Sequence, residues 1–321
     1  MSTGTEPSGR SERCIALIAR FVFAAALALL TASCGHSDTA PPDGVTIDRQ
    51  IDIGTHSLYV HCVGKGTPVV VIDVGVGESY ASWQPIQDEL ARATRVFAYD
   101  RAGYGQSEPG PMPRHAKQEA RELRLLLEKA GVKGPYVLVG HSLGGLNMQV
   151  FAAEYPDDVA GMVLLDPPPL QWIVGGETFP ELTDLFKKQT QELSTAAQAM
   201  DQSADPQEKA KAVFLKAVAS EHEELFGETA RQVAAIGSFG DLPLTVIASG
   251  KANPLFGAAA EDYQRFWIEQ SRELAGKSTR GKFVLIQESS HQLHRDAPDK
   301  VLEAIRQMIT ESRPPEASGR D

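Results

Sequence analysis

The tract GPYVLVGHSLGGLNMQVFA, residues 134–152, places its one aliphatic hydroxyl, Ser142, among Gly140, Gly144 and Gly145. Tyr136 to Val139 is a short apolar run of buried-strand type, and from Leu146 onward apolar residues recur at roughly helical spacing. Ser142 therefore falls where a strand turns into a helix. Glycines at such a corner permit close approach and dihedrals that a Cβ penalises. Two readings follow: a serine that caps the helix, or the nucleophile elbow G-x-S-x-G, which exposes a serine Oγ above a parallel sheet. A serine hydroxyl is a weak nucleophile at its own pKa. The elbow reading therefore demands a histidine within reach, a group to orient it, and donors for an oxyanion.

The chain has eight histidines. His36 precedes the domain and His141 adjoins Ser142 on the turn. His56, His61, His115 and His222 occupy strand, loop or helix settings with no clear route to Ser142. His291 and His294 lie in ESSHQLHRDAPDKV (288–301), directly after the strand-like KFVLIQ. Loops at the carboxyl ends of α/β strands are where ligands and chemistry are held, and His291 is nearer the strand end, so it is the candidate base. The pair also has H-x-x-H spacing, but a metal needs further ligands that the sequence does not offer; no metal and no cofactor are expected.

Strand-like runs at 57–64, 68–75, 95–100, 136–140, 162–166, 244–250 and 282–287 alternate with helical patterns. In residues 116–131, Ala120, Leu123, Leu127 and Ala130 share one face and Gly131 ends the helix. Such alternation predicts an α/β fold with a mostly parallel sheet. Residues 167–240 carry no convincing strand. They contain a helix over 205–218, with Asp205 as cap, Pro206 at the first helical position and Glu208 at the third. Ala210, Val213, Phe214, Ala217 and Val218 form its apolar stripe. A helical insertion between strands reads as a lid, with Trp172, Phe179 and Phe226 as a substrate-facing underside; surface decoration is the plainer alternative.

Three motifs stand in order: AYDRAGYGQS (98–107), GHSLGG (140–145) and HQLHRDAPDKV (291–301). Together they resemble the α/β-hydrolase superfamily in its serine esterase and lipase-like branch, from about Pro68 to Ile309 with the insertion left out. The resemblance implies an α/β-hydrolase fold with a helical lid inserted after the sixth strand. It implies Ser142 as nucleophile and His291 as base, seven places before Pro298. It assigns the oxyanion donors to the backbone N–H groups of Leu143 and Val76, although Val74-Gly75 stands where the family often has His-Gly. The acid often lies just past the glycine of the 244–250 run, where this chain has Asn253, an amide that orients an imidazole without stabilising an imidazolium. Relatives among lipases and dehalogenases take their carboxylate from the end of the preceding strand, which here is Asp166; Asp241, Glu288 and Asn253 are the alternatives. Asp166 has a plainer role open to it as well, capping the turn before Pro167, Pro168 and Pro169.

The expected activity is that of an exported serine hydrolase cleaving an acyl ester through a covalent acyl-enzyme. An amidase, thioesterase or carbon–carbon hydrolase on the same scaffold is an alternative, and so is a catalytically weak binder of small molecules. No lysine with serine or threonine follows Gly75-Val76-Gly77 or Gly103-Tyr104-Gly105, so neither glycine run is a phosphate loop.

The chain of 321 residues, 42% hydrophobic and 23% charged, suffices for a large domain with a substantial core. Its net charge of −11 argues against a nucleic-acid partner. Arg10, Arg13 and Arg20 lead into FVFAAALALL (21–30) and TASC (31–34), a positive region, a short apolar region and small residues. That is an export pattern, too short for a transmembrane span, and it resembles a bacterial lipoprotein signal with Cys34 as the lipidated residue. Thr31 departs from the larger aliphatic residue usual there. The expected organisation is a signal peptide at 1–33, a lipidated tether at 34–44, the hydrolase core at 45–166 and 241–313, and the lid at 167–240. The expected partners are a small-molecule acyl substrate and a bacterial membrane through the lipid on Cys34, with ordinary secretion or an uncleaved anchor as alternatives. With Cys14 lost and Cys34 lipidated, Cys62 alone remains, so no intramolecular disulfide is expected.

Overall fold

The computed structural model describes residues 46–313; the expected signal and tether, with Cys34, lie outside the described residues. Eight strands form one sheet: β1 Ile47–Asp52, β2 Ser57–Val63, β3 Val69–Asp73, β4 Val96–Tyr99, β5 Tyr136–His141, β6 Val159–Leu165, β7 Leu244–Ser249 and β8 Gly281–Ile286. Their order is β1-β2-β4-β3-β5-β6-β7-β8. The β1/β2 and β2/β4 pairs are antiparallel, and every pair from β4 across to β8 is parallel. The helices are α1 Gln84–Ala91, α2 Ala116–Lys129, α3 Leu143–Glu154, α4 Leu170–Gly175, α5 Pro180–Asp201, α6 Pro206–Leu225, α7 Glu228–Ala234, α8 Ala260–Ala275, α9 Leu293–Asp296 and α10 Pro298–Glu311.

A parallel sheet covered on both faces needs apolar residues at every strand position. β3, β5 and β7 are accordingly buried throughout. Alternate side chains feed two cores. Val71, Leu138, Leu164 and Val246 join residues of α2 and α3 on one face; Val70, Val139, Val163 and Ile247 join residues of α1 and α10 on the other. With the central strands parallel, their carboxyl ends share one edge, where Gly140 pairs with Asp73 and Leu164, and Leu165 pairs with Ile247.

The structure departs from the sequence-based expectation in three places. β1 was not foreseen, because Asp48, Arg49 and Gln50 are exposed on a sheet-edge strand and leave no apolar pattern to read. β6 begins at Val159 rather than 162, running through Gly161. A Cβ there would come within 2.4 Å of Met308 Sδ on α10, so this glycine marks close packing, not a strand end. In the insertion, Asp205 caps α6 as expected by accepting the Gln207 N–H at 2.9 Å. Ala210, however, is exposed with the rest of 206–210, and the buried stripe starts later, at Ala212 and Leu215, because the first turns extend past the surface the helix packs on.

The insertion comprises α4 to α7, between β6 and β7. Trp172, expected on a substrate-facing surface, is instead 1% exposed and packed between the insertion and α8. Its ring meets Phe186, Phe226, Tyr263 and Trp267 with centroids 5.0, 5.1, 5.4 and 6.4 Å away. Phe179 packs on Tyr263 and Phe266 of α8. Aromatic rings bury large areas through such edge contacts, and here they join insertion to core. Among the described residues no helix is long and apolar enough to cross a membrane.

Candidate active site

The corner between β5 and α3 holds Ser142 at φ 51°, ψ −120°. Its N–H donates to the Leu165 carbonyl at 2.9 Å, and its own carbonyl accepts from Gly145 N–H at 2.9 Å. The glycines around it are steric necessities. A Cβ on Gly140 would lie 2.6 Å from Gly144 O, and one on Gly144 would lie 2.3 Å from Asp73 O. The Ser142 side chain makes no capping bond, so the helix-cap reading fails. Leu143 opens α3, and its N–H is one of the first-turn amides that no helical carbonyl can reach.

Asp166 directly follows β6 and lies at φ 49°. Among the described residues, it and Ser142 are the two non-glycine residues with positive φ. Backbone strain of this kind costs about 1–3 kcal/mol per residue and clusters at functional sites. The Asp166 N–H donates to Ile247 O at 2.8 Å, which ties the residue to the next strand. Its carboxylate is buried. Oδ1 accepts Ser249 N–H at 2.9 Å, and Oδ2 accepts the Ser249 hydroxyl at 2.7 Å and faces His291 Nδ1 at 2.8 Å. The turn-capping role fails for a chemical reason: Pro167, Pro168 and Pro169 have no N–H to donate. A carboxylate beside Nδ1 places the proton there and leaves Nε2 with its lone pair free to accept.

The alternative acids sit elsewhere. Asp241 borders a groove at the opposite edge of the sheet, and Glu288 is exposed and paired with Lys300. The Asn253 carbonyl accepts Phe256 N–H at 3.0 Å at the start of a 3-10 turn.

His291 follows β8 on the same edge. Its ring is 37% exposed and meets Trp267 of α8 edge-on at 5.7 Å. Its backbone carbonyl accepts His141 Nε2–H at 2.9 Å, which pins the histidine loop to the residue before Ser142. Among the described residues the Ser142 hydroxyl makes no hydrogen bond. Serine–histidine bonds of this kind commonly tighten only when substrate is bound.

The loop after β3 supplies Val76. Gly75 N–H donates to Glu78 Oε2 at 3.2 Å and Gly77 N–H to the Tyr104 hydroxyl at 3.3 Å. Both neighbours are thus used internally, while among the described residues neither Val76 N–H nor Leu143 N–H has an acceptor.

Glu78, His141 and His294 form a second group that the sequence did not reveal, with ligand-type atoms within 4.8 Å of one another. Both His141 nitrogens face acceptors, Glu78 Oε2 at 3.3 Å and the His291 carbonyl. Two acceptors call for two ring protons, so the pair is suited to an imidazolium–carboxylate couple. Burial opposes charge on either group. The Glu78 carboxylate nevertheless holds His141 above the usual histidine range, and the His141 charge holds Glu78 below the usual carboxylate range. His294, stacked on Trp83 at 4.5 Å, is pushed down to about 3 by burial and by the His141 charge.

A family model described as the alpha/beta hydrolase fold matches residues 68–241. The chain belongs to that family. The α/β hydrolase is 30% identical over 245 residues to the uncharacterized protein YqjL of Bacillus subtilis (strain 168), covering 76% of this chain and 85% of that one. Among solved structures it is similar to the epoxide hydrolase CorEH, with a TM-score of 0.63 at 17% identity over 84% of this chain and 100% of the other. It is also similar to a thermophilic esterase from Thermogutta terrifontis, with a TM-score of 0.58 at 18% identity over 85% and 100%. At those identities the solved structures speak for the fold alone. Within this α/β hydrolase, the sequence pointed to Ser142, His291 and Asp166. It did not point to Ser249 or to the Glu78–His141 pair, whose partners lie far away along the chain.

Proposed function

We propose that this α/β hydrolase cleaves acyl esters through a covalent acyl-enzyme on Ser142. His291 takes the proton as Ser142 Oγ attacks the acyl carbonyl, and the N–H groups of Leu143 and Val76 hold the tetrahedral oxyanion. His291 then protonates the leaving alkoxide, and water repeats the cycle. Asp166 holds the imidazole tautomer and balances the imidazolium. One observation carries the reading: the 2.8 Å contact of His291 Nδ1 with a buried Asp166, on the strand edge that also holds a strained Ser142 free of any capping role. The fold shared with an esterase is consistent with esters as substrates. In the same reading the protein is exported and anchored through a lipid on Cys34, and helices α4–α7 roof the site.

The test is hydrolysis of a p-nitrophenyl ester series, acetyl to palmitoyl, by the full chain in detergent, alongside labelling with a fluorophosphonate. Turnover and labelling that both vanish in Ser142→Ala support the proposal. A folded protein that neither labels nor turns over overturns it in favour of a binding protein. Metabolic labelling with radioactive palmitate, lost in Cys34→Ala, tests the anchor.

A further inference from the structure

Behind the oxyanion loop lies a buried charge cluster that the triad does not use. Arg101, on the turn after β4, is 2% exposed. Its Nη1 donates to Asp73 Oδ1 at 2.7 Å and to Val74 O at 2.6 Å, and its Nη2 donates to Gly75 O at 3.0 Å. The same guanidinium forks onto Glu221 of α6, Nε to Oε1 at 2.9 Å and Nη2 to Oε2 at 3.1 Å. Tyr104 makes a second path. Its hydroxyl donates to Glu221 Oε2 at 2.6 Å and accepts Gly77 N–H at 3.3 Å.

The loop is therefore held at Val74, Gly75 and Gly77, on both sides of Val76, by two side chains that end on one carboxylate of the insertion. Contact between the two parts is also close at Gly103, where a Cβ would lie 2.8 Å from Ala217 Cβ on α6. A bidentate arginine–carboxylate pair fixes direction as well as distance. Parting α6 from the core would break this buried pair and strip Arg101 from the Glu221 carboxylate, while Arg101 would keep Asp73 and Glu119.

We propose that Glu221 is a positioning residue for the oxyanion hole, acting through Arg101 and Tyr104 on the loop that carries Val76. The insertion is then, at α6, a fixed part of the catalytic apparatus and not a lid that swings clear of it. The inference rests on the serine-hydrolase reading. Its consequence is that damage to a helix outside the sheet appears in the chemical step rather than in substrate binding.

The test uses Glu221→Gln and Tyr104→Phe in the full chain, with folding checked by thermal melting. Ester kinetics and hydrogen exchange of the amides of residues 74–78 are the readouts. Glu221→Gln should lower kcat about 10- to 100-fold, less than the 100- to 1000-fold typical of losing an oxyanion donor outright, with KM within about twofold. Tyr104→Phe keeps the ring, should give a smaller loss of the same kind, and decides the matter if Glu221→Gln does not fold. Exchange of residues 74–78 should quicken in both. Unchanged exchange and kcat in a folded variant, or a change confined to KM, overturns the positioning role. Absence of any Ser142-dependent turnover in the parent protein is a separate result that removes the hydrolase reading, and the positioning role with it.

Discussion

The two ends of the parallel sheet make opposite use of their residues. At the amino end is a roomy groove of about 740 Å³, bordered by Lys117, Pro156, Val159, Asp241, Pro243 and Arg280. At the carboxyl end stand both strained non-glycine residues, a histidine on a buried carboxylate, and two amides that have no acceptor among the described residues. β6 alone spans seven residues between the two ends, about 20 Å at the usual rise per residue. The groove is lined by side chains with ordinary surface partners, such as Lys117 with Glu154. Space alone is a poor guide to chemistry; strain that the surrounding structure sustains is a better one.

The sharpest way to break this comparison is at Ser142. Ser142→Ala should cost at least about 10⁴-fold in kcat, measured as ester turnover. Ser142→Gly should be equally inactive yet raise stability by about 1 kcal/mol in urea titration, because glycine relieves the positive φ. A variant less stable than the parent would show that the corner is not strained. Next comes Asp166→Asn, expected to lower kcat by about 10³- to 10⁴-fold with substrate binding little changed. Unaltered kcat there would remove Asp166 from the mechanism.

A smaller effect concerns pH. His294 titrates near its ordinary value when unfolded but only at about 3 when folded, held down by burial and by the His141 charge. Between those values the unfolded chain binds more protons, so stability falls as pH is lowered. His294→Gln should flatten the dependence of melting temperature on pH from about 6.5 down to 3. Denaturation curves across that range check it, and an unchanged slope would mean that His294 takes up its proton while still folded. The smallest effect belongs to the amino end. Arg280→Ala should leave turnover unchanged and stability within about 0.5 kcal/mol.

What the sequence disclosed follows from how local each signal is. Ser142 is legible because its glycines, strand and helix are all neighbours along the chain. His291 is legible because it sits just past an apolar strand. Asp166 came from the family resemblance, since nothing nearby marks its partner: Ser249 lies 83 positions on and His291 lies 125 on. Glu221 is 120 positions from Arg101, on a helix whose pattern reads only as amphipathic. β1 is not legible because a polar edge strand carries no periodic burial. Pairing across a fold leaves no trace in spacing, so the strand-end groups were readable and their supports were not.

Pro167, Pro168 and Pro169 give the connection out of β6 a mechanical character. Three successive residues with φ fixed near −65° cannot act as a hinge, and Pro169 at φ −61° leads straight into α4. At the other end, Gly237 and Gly240 precede β7, the latter at φ 60°. The insertion thus leaves the sheet beside Asp166 through three residues of fixed φ, and it returns through residues 236–240, where Phe239 N–H donates to Lys277 O and Gly240 O accepts Thr279 N–H. With the Arg101–Glu221 pair between them, it is fastened at both ends and in the middle.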